Sequence, residues 1–280
     1  MFDDIRDKLT IIIVSFNSGE VILNNLGGLI RSNICDVIVV DNASTDDSRI
    51  LLRDNFHSID VIDLPVNVGY GRAANIALKK IDTDYGLLLN PDVALVEDSL
   101  KEVFENALAA SESAAVFSPA LRDEEFFKQG NIFVEYLIGA FLLFKMDALK
   151  NVGYFEESIF LFYEEKDLEA RLIDHGYKLI LQSDIYVRHF KSSSTKSTKK
   201  IVFLRNWHVA WSALFYSYKH SLISRKISGY LLAMKYGLKA IFNVGDKRIK
   251  YKARFLGSIA YMKGEKAFSK SGYGQHSEKL

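Results

Sequence analysis

Short apolar runs alternate with amphipathic segments through the first 120 residues of the chain. Leu9–Ser15, Cys35–Asp41, Ile59–Leu64, Tyr85–Asn90 and Ala114–Ser118 have the length and β-branched content of buried strands. Between them, Gly19–Ser32, Asp46–Phe56, Gly69–Ile81 and Val96–Ala110 carry apolar residues at helical spacing. Asp46 is placed to cap the second helix, and Gly69-Tyr70-Gly71 opens the third. Strands alternating with helices at this spacing predict an α/β fold with a mostly parallel central sheet flanked by helices.

The rhythm changes after Pro119, the last proline. Gly139–Lys145 predicts another buried strand, Met146–Asn151 a short helix ended by Gly153, and Glu164–His175 a helix stopped by Gly176. Lys178–Leu181 and Ile185–His189 read as extended. Residues 191–200 hold no apolar side chain and predict a mobile loop. From Ile201 to about Lys266 the chain reads as helical, and the polar stretch from Ser269 as a disordered tail. The expected organisation is a catalytic domain over 1–200, a basic helical extension over 201–268 and a tail over 269–280.

Composition adds one asymmetry. The formal net charge is +1, yet residues 191–280 carry 19 Lys/Arg and 3 Asp/Glu. Residues 1–190 carry 17 basic and 32 acidic side chains. Such a split predicts two functional surfaces, the basic one suited to an anionic lipid or a phosphorylated partner. No nucleic-acid motif accompanies the charge, so nucleic acid is not expected as a partner. The single Cys35 excludes an intramolecular disulfide, suits a reducing compartment and reads as a buried thiol. The apolar run Leu9–Val14 is too short for a signal peptide, and no apolar stretch has the length of a spanning helix.

The candidate chemistry sits at strand ends. A parallel sheet binds ligands beyond the carboxyl ends of its strands. There the chain supplies Ser15 and Asn17, then Asp41, then Asn67, Gly69, Gly71 and Arg72, then Asn90-Pro91-Asp92. Asp41 can accept hydrogen bonds from a nucleobase or ribose. The glycines admit close backbone approach at a helix N-terminus that favours phosphate, and Arg72 offers a donor fork to a diphosphate. Asp92 is a hard oxygen donor suited to Mg2+ or Mn2+ beside phosphates. A second constellation, Phe160-Leu-Phe-Tyr-Glu164-Glu165-Lys-Asp167, runs an apolar segment into an acidic helix start. An apolar wall raises the basicity of a carboxylate, as a general base requires. His189 ends a strand just before the Ser/Thr/Lys loop, where it can act as a metal ligand.

These motifs, in this order, resemble family 2 glycosyltransferases of the GT-A fold, in particular bacterial rhamnosyltransferase-like enzymes. The resemblance rests on 13–17, 39–46, 67–75, 90–93, 153–157 and 163–168, and spans roughly residues 8–195. It implies transfer of one sugar, with inversion, from a nucleotide-diphosphate sugar (dTDP-rhamnose or a UDP-sugar) to a glycan or lipid-linked acceptor. Asp41, Ser15 and Asn17 would hold the base, and Asn67 and Arg72 would sit near ribose and diphosphate. Asp92, supported by His189, would hold Mg2+ or Mn2+. The second acid of the family's Glu-Asp pair supplies the base. Here that position is Glu165, with Glu164 and Asp167 as alternatives. The Gln-x-x-Arg-Trp motif of processive members is missing, since Arg205-Asn206-Trp207 lacks the Gln. The implied location is cytoplasmic, peripheral at the inner face of the membrane. A nucleotidyltransferase and a non-catalytic sugar-nucleotide or glycan-binding protein are the rival readings.

Overall fold

The computed structural model describes residues 3–127, 129–190, 198–220 and 225–268, with helices α1–α10 and strands β1–β10. The first half follows the predicted alternation: α1 (Asp3–Lys8), β1 (Leu9–Ser15), α2 (Gly19–Ser32), β2 (Asp36–Asp41), α3 (Ser48–Asn55), β3 (Asp60–Asp63), α4 (Tyr70–Leu78), β4 (Tyr85–Leu89), β5 (Val93–Ala94), α5 (Glu97–Leu108) and β6 (Ala114–Ala120). Then come β7 (Asn131–Val134), β8 (Phe141–Lys145), α6 (Met146–Val152), α7 (Glu164–Asp174), β9 (Lys178–Tyr186) and β10 (Arg188–His189). Three helices follow: α8 (Lys199–His220), α9 (Arg225–Ile241) and α10 (Gly245–Met262). Of the mobile loop predicted at 191–200, residues 191–197 lie outside the described residues, while Lys199 and Lys200 already belong to α8; the tail from 269 also lies outside them.

The chain divides into two compact units. The first takes the described residues of 1–65, 73–154 and 168–195. It is built on an eight-stranded sheet of order β3-β2-β1-β4-β8-β6-β9-β7. β3, β2, β1 and β4 are parallel neighbours; β8 runs antiparallel to β4 and β6, and β7 antiparallel to β9. The sheet is therefore mostly parallel, as the alternation predicts. β1 and β4 are buried along their whole length, which explains their largely apolar sequences. Their side chains join those of α2 and α5 in one core around Leu26, Leu87, Leu100 and Phe104. Cys35 lies in this core, where burial, with a contribution from Asp36, pushes its thiol up to about 12. The cap lies one residue later than expected: Asp47 holds the N-cap position of α3, and Asp46, just before it, accepts the Ser48 N–H on its Oδ1 at 3.0 Å.

The second unit takes residues 66–72, 155–167 and the described residues from 198 to 268. Phe203, Trp207, Trp211 and Leu214 of α8 pack with Ala253, Ala260 and Tyr261 of α10. The two helices approach closely at Gly257, where a Cβ would collide with the carbonyl oxygen of Trp207.

Candidate functional site

The predicted site residues fall into two sets, one in each unit. In the first unit the register of β1 against β2 pairs Ser15 with Asp41, the last residues of both strands. Asp41 is fully buried. Its Oδ1 accepts hydrogen bonds from the Ser44 backbone N–H at 2.9 Å and from Arg49 Nε at 2.8 Å. Its Oδ2 is buried and has no hydrogen-bond partner among the described residues, and neither does the Ser15 hydroxyl. A buried acceptor left open beside a buried hydroxyl is costly unless a ligand meets it. Asn17 adopts a left-handed backbone (φ 54°) and is held to the loop after β2. Its side-chain oxygen accepts the Thr45 N–H at 2.8 Å, and its own N–H donates to Ser44 Oγ at 2.8 Å. Asn17 thus shapes this edge through its loop contacts.

At the neighbouring strand end, Asn90 donates its backbone N–H to Ala140 O and accepts that of Val93, which turns the chain through Pro91. Asn25 Nδ2 donates to the Pro91 carbonyl at 3.0 Å and steadies the turn. β5 follows at once and pairs antiparallel with β10, with His189 opposite Val93. The Phe190 N–H closes this ribbon onto the Asp92 carbonyl at 2.9 Å. The ribbon brings His189 Nε2 to 3.3 Å from Asp92 Oδ1, both side chains being nearly buried. With Nε2 engaged there, the buried His189 Nδ1 has no hydrogen-bond partner among the described residues.

A carboxylate and an imidazole suit a divalent cation that also binds phosphate. Mg2+ in particular keeps waters and substrate oxygens rather than an all-protein cage. Among the described residues no group of three or more His, Cys, Asp or Glu side chains assembles to hold a metal. A pair that leaves coordination positions to a diphosphate therefore fits this donor set better than a closed protein site.

In the second unit, 66–72 folds against 155–167. Asn67 Oδ1 accepts the Gly69 N–H at 3.0 Å, and the Tyr70 N–H donates to Phe160 O at 3.0 Å. Gly69 has φ +91°, and a Cβ there would strike the Phe160 carbonyl. A Cβ at Gly71 is the start of any larger side chain, and it would meet Phe155 and Glu164. Both glycines thus make room for the chain's own 155–164 segment. Arg72 donates Nε to the Glu157 carbonyl at 2.7 Å and lays its guanidinium 3.8 Å from the Phe268 ring centre.

The acidic helix start is held under strain. Phe162 and Tyr163, immediately before α7, have φ of 66° and 70°. Bulky side chains rarely adopt this region, and such strain collects at functional sites. Ser212 Oγ ties the segment to α8 through the Leu161 carbonyl at 2.9 Å. The three acids that follow differ sharply. Asp167 is fully buried, and its Oδ1 lies 2.8 Å from both Lys219 Nζ and His220 Nε2. Glu164 is buried with Oε2 lacking a partner among the described residues. Burial, then the charge of Glu165, raise its pKa well above the ordinary 4.5. Glu165 is only half-buried.

A pH prediction follows for Glu164. Its folded pKa lies above its unfolded value, so the native state binds the proton more tightly. That stability is fully present below about pH 4.5 and is lost as pH rises through the folded pKa. Relative to Glu164→Gln, the wild-type protein should lose up to about 1.4 kcal/mol per pH unit in the window above pH 4.5. Paired denaturant titrations at several pH values check this. Parallel stability curves would show that Glu164 carries no burial penalty.

The sequence did not point to Arg49, Lys219 or His220. Arg49 offers no signal beyond its place in the first turn of the helix after Asp41. Lys219 and His220 reach Asp167 only through tertiary packing. Lys219 also bonds Glu156 Oε2 at 2.8 Å, a contact that sequence spacing does not reveal.

The described fold is similar to that of a mannosyltransferase from Pyrobaculum calidifontis, solved with GDP-Man and Mn2+, at TM-score 0.62 and 14% identity over 92% of this chain and 88% of that one. The central sheet and its flanking helices are the GT-A fold. Among curated relatives, the low-salt glycan biosynthesis hexosyltransferase Agl10 of Haloferax volcanii is 25% identical over 57% of this chain and 59% of its own length. The chain therefore spans less than two thirds of that relative. An N-acetylglucosaminyl-diphospho-decaprenol L-rhamnosyltransferase of Mycobacterium tuberculosis is 22% identical over 73% of this chain and 86% of its own. The family model for glycosyl transferase family 2 matches residues 10–165, more than half of the sequence, and the chain belongs to that family.

Proposed function

We propose that this protein is an inverting glycosyltransferase that moves one sugar from a nucleotide-diphosphate sugar to a hydroxyl of a glycan or lipid-linked acceptor. The observation that carries the reading is the Asp92–His189 pair at the β4 exit, in the unit that also presents the open buried oxygens of Asp41 and Ser15. The relatives support a role in surface-polysaccharide or glycan synthesis, and dTDP-rhamnose or a UDP-sugar is the proposed donor.

In this reading Asp41 Oδ2 accepts a hydrogen bond from the base, with Ser15 and Asn17 lining the same edge. Arg49 fixes the carboxylate through its other oxygen. Asn67 lies near the ribose, and Arg72 donates to the diphosphate. Asp92 and His189 hold the divalent cation, Mg2+ or Mn2+. When bound, that ion supplies positive charge against the departing diphosphate. Glu165 removes the proton of the acceptor hydroxyl. The hydroxyl oxygen bonds to the anomeric carbon as the carbon–oxygen bond to the diphosphate breaks. The bonding pair leaves on the diphosphate, and a single displacement inverts the configuration. Glu165 suits the base better than its neighbours, because Asp167 is committed to Lys219 and His220 and Glu164 is sealed from solvent. A lipid-linked acceptor would place the protein peripherally at the inner face of the membrane. Among the described residues no helix is long and apolar enough to cross one.

Thermal stabilisation by a panel of sugar nucleotides with Mn2+ or Mg2+ tests donor binding. A donor at about a hundred times its dissociation constant should add about 2.7 kcal/mol of stability. The reading expects one nucleotide class to stand out, with the effect reduced by EDTA. Silence across the panel would contradict it.

A further inference from the structure

In the second unit, α9 presents an apolar stripe that no other described residue covers. Tyr230, Leu231, Met234, Leu238, Ile241 and Phe242 are all more than half exposed, Phe242 reaching 82%. At 100° per residue they fall within about 120° of the helix circumference. Phe242 belongs to the stripe because its N–H still bonds the Leu238 carbonyl. Val244, in the turn to α10, extends the patch at 83% exposure. Lys235 and Lys239 line one border of the stripe and are exposed. Lys247 and Arg248 follow, also exposed, in the first turn of α10.

The opposite face of α9 is already occupied. Tyr236 stacks with Tyr251 of α10, and its hydroxyl accepts a hydrogen bond from Arg254. Gly229, on the same face, lies against Met262, and Gly237, at the flank next to Tyr230, lies against Phe255. Helix packing therefore fixes α9 in rotation and leaves the apolar stripe outward. Contiguous exposed apolar surface of this kind marks an interaction site.

Charge selects the occupant. Residues 225–268 carry eleven Lys/Arg against two Asp/Glu. We propose that α9 lies in the plane of an anionic phospholipid surface. Its Leu, Met, Ile and Phe side chains enter the acyl boundary, while Lys235, Lys239, Lys247 and Arg248 meet the headgroups. An amphipathic helix with cations beside its apolar face binds in this way. The aromatic ring and hydroxyl of Tyr230 suit the interface itself. A second copy of the chain fits less well, because a self-paired stripe would bring two sets of these cations together.

This inference gives the peripheral reading above its surface, and its test does not depend on sugar transfer. The full chain is sedimented with vesicles of phosphatidylcholine alone, or with phosphatidylglycerol in equal part. The wild-type protein should partition onto the anionic vesicles and far less onto the neutral ones. Leu238→Glu combined with Phe242→Glu should lower partition by at least about tenfold. Lys235→Gln combined with Lys239→Gln should lower it by about ten- to thirtyfold at low salt. Both pairs are exposed, and a thermal unfolding midpoint equal to that of the wild type verifies an intact fold in each variant. Equal binding to both vesicle types, or variants that bind like the wild type, would overturn the proposal. So would a wild-type dimer that does not bind vesicles and that the Leu238/Phe242 pair dissociates. Vesicle binding without donor stabilisation would leave the membrane surface standing and remove the transfer reading; the converse would do the reverse.

Discussion

Asp92→Ala is expected to lower metal-dependent turnover of the sugar donor by about 10²–10³-fold, the usual cost of removing one group that stabilises developing charge. β4 is buried along its whole length, so its exit is rigid. The turn after it is held by backbone bonds of Asn90 and by Asn25, none of which needs the Asp92 carboxylate. The Asp92 main-chain carbonyl also keeps its bond from the Phe190 N–H in the variant. The substitution therefore removes an oxygen donor and the partner of His189 Nε2, while the backbone bonds named here do not depend on the carboxylate. Residual activity in Asp92→Ala should respond weakly to added Mn2+. Unchanged activity with unchanged metal response would remove Asp92 from the site.

Glu165→Gln should lower sugar transfer by about 10²–10⁴-fold, the range over which a positioned general base contributes, while donor binding stays unchanged. Gln keeps the size and polarity of Glu but cannot take a proton at this pH. The neighbours provide the controls. Glu164→Gln preserves the protonated form that burial already favours, so transfer should survive it. Asp167→Asn strips the charge that Lys219 and His220 meet, and its effect should appear first as lost stability. Transfer kinetics, donor thermal shifts and denaturant curves on the three variants separate these effects. Full transfer by Glu165→Gln would refute the base assignment.

The elements legible in the sequence were those whose burial is uniform or cleanly periodic. β1 and α2 begin and end where the apolar pattern places them, because β1 is buried throughout and α2 buries one face. β7 was missed, since its residues alternate between exposed and half-buried and it is defined by pairing with β9. β5 was also missed, because two residues become a strand only when β10 arrives from far along the chain. Lys178–Leu181 and Ile185–His189 read as separate segments, yet β9 runs unbroken to Tyr186. The helical region expected from Ile201 is interrupted between α9 and α10 near Gly245, whose φ is +58° and which no sequence pattern marks as a break.

The candidate site was legible to the same degree and for the same reason. Asp41 and Asp92 stand out because a polar residue ending an apolar strand is visible in one dimension. The contact of His189 with Asp92 was foreseeable only as a role, since its geometry depends on the short ribbon. The glycines at 69 and 71 were visible, but what fills their space was not. Phe160, Phe155 and Glu164 occupy it, and their proximity is a tertiary fact. The differing burial of Glu164, Glu165 and Asp167 is invisible in a run of adjacent acids, yet it ranks them as bases.

The most direct measurement is nucleoside diphosphate release from a panel of sugar nucleotides by purified protein, with Mn2+, Mg2+ or EDTA, beside Asp92→Ala. Slow release from one donor is expected, dependent on metal and lost in the variant. Release of pyrophosphate from a nucleoside triphosphate instead, or diphosphate release that ignores both EDTA and Asp92→Ala, would contradict the transfer reading.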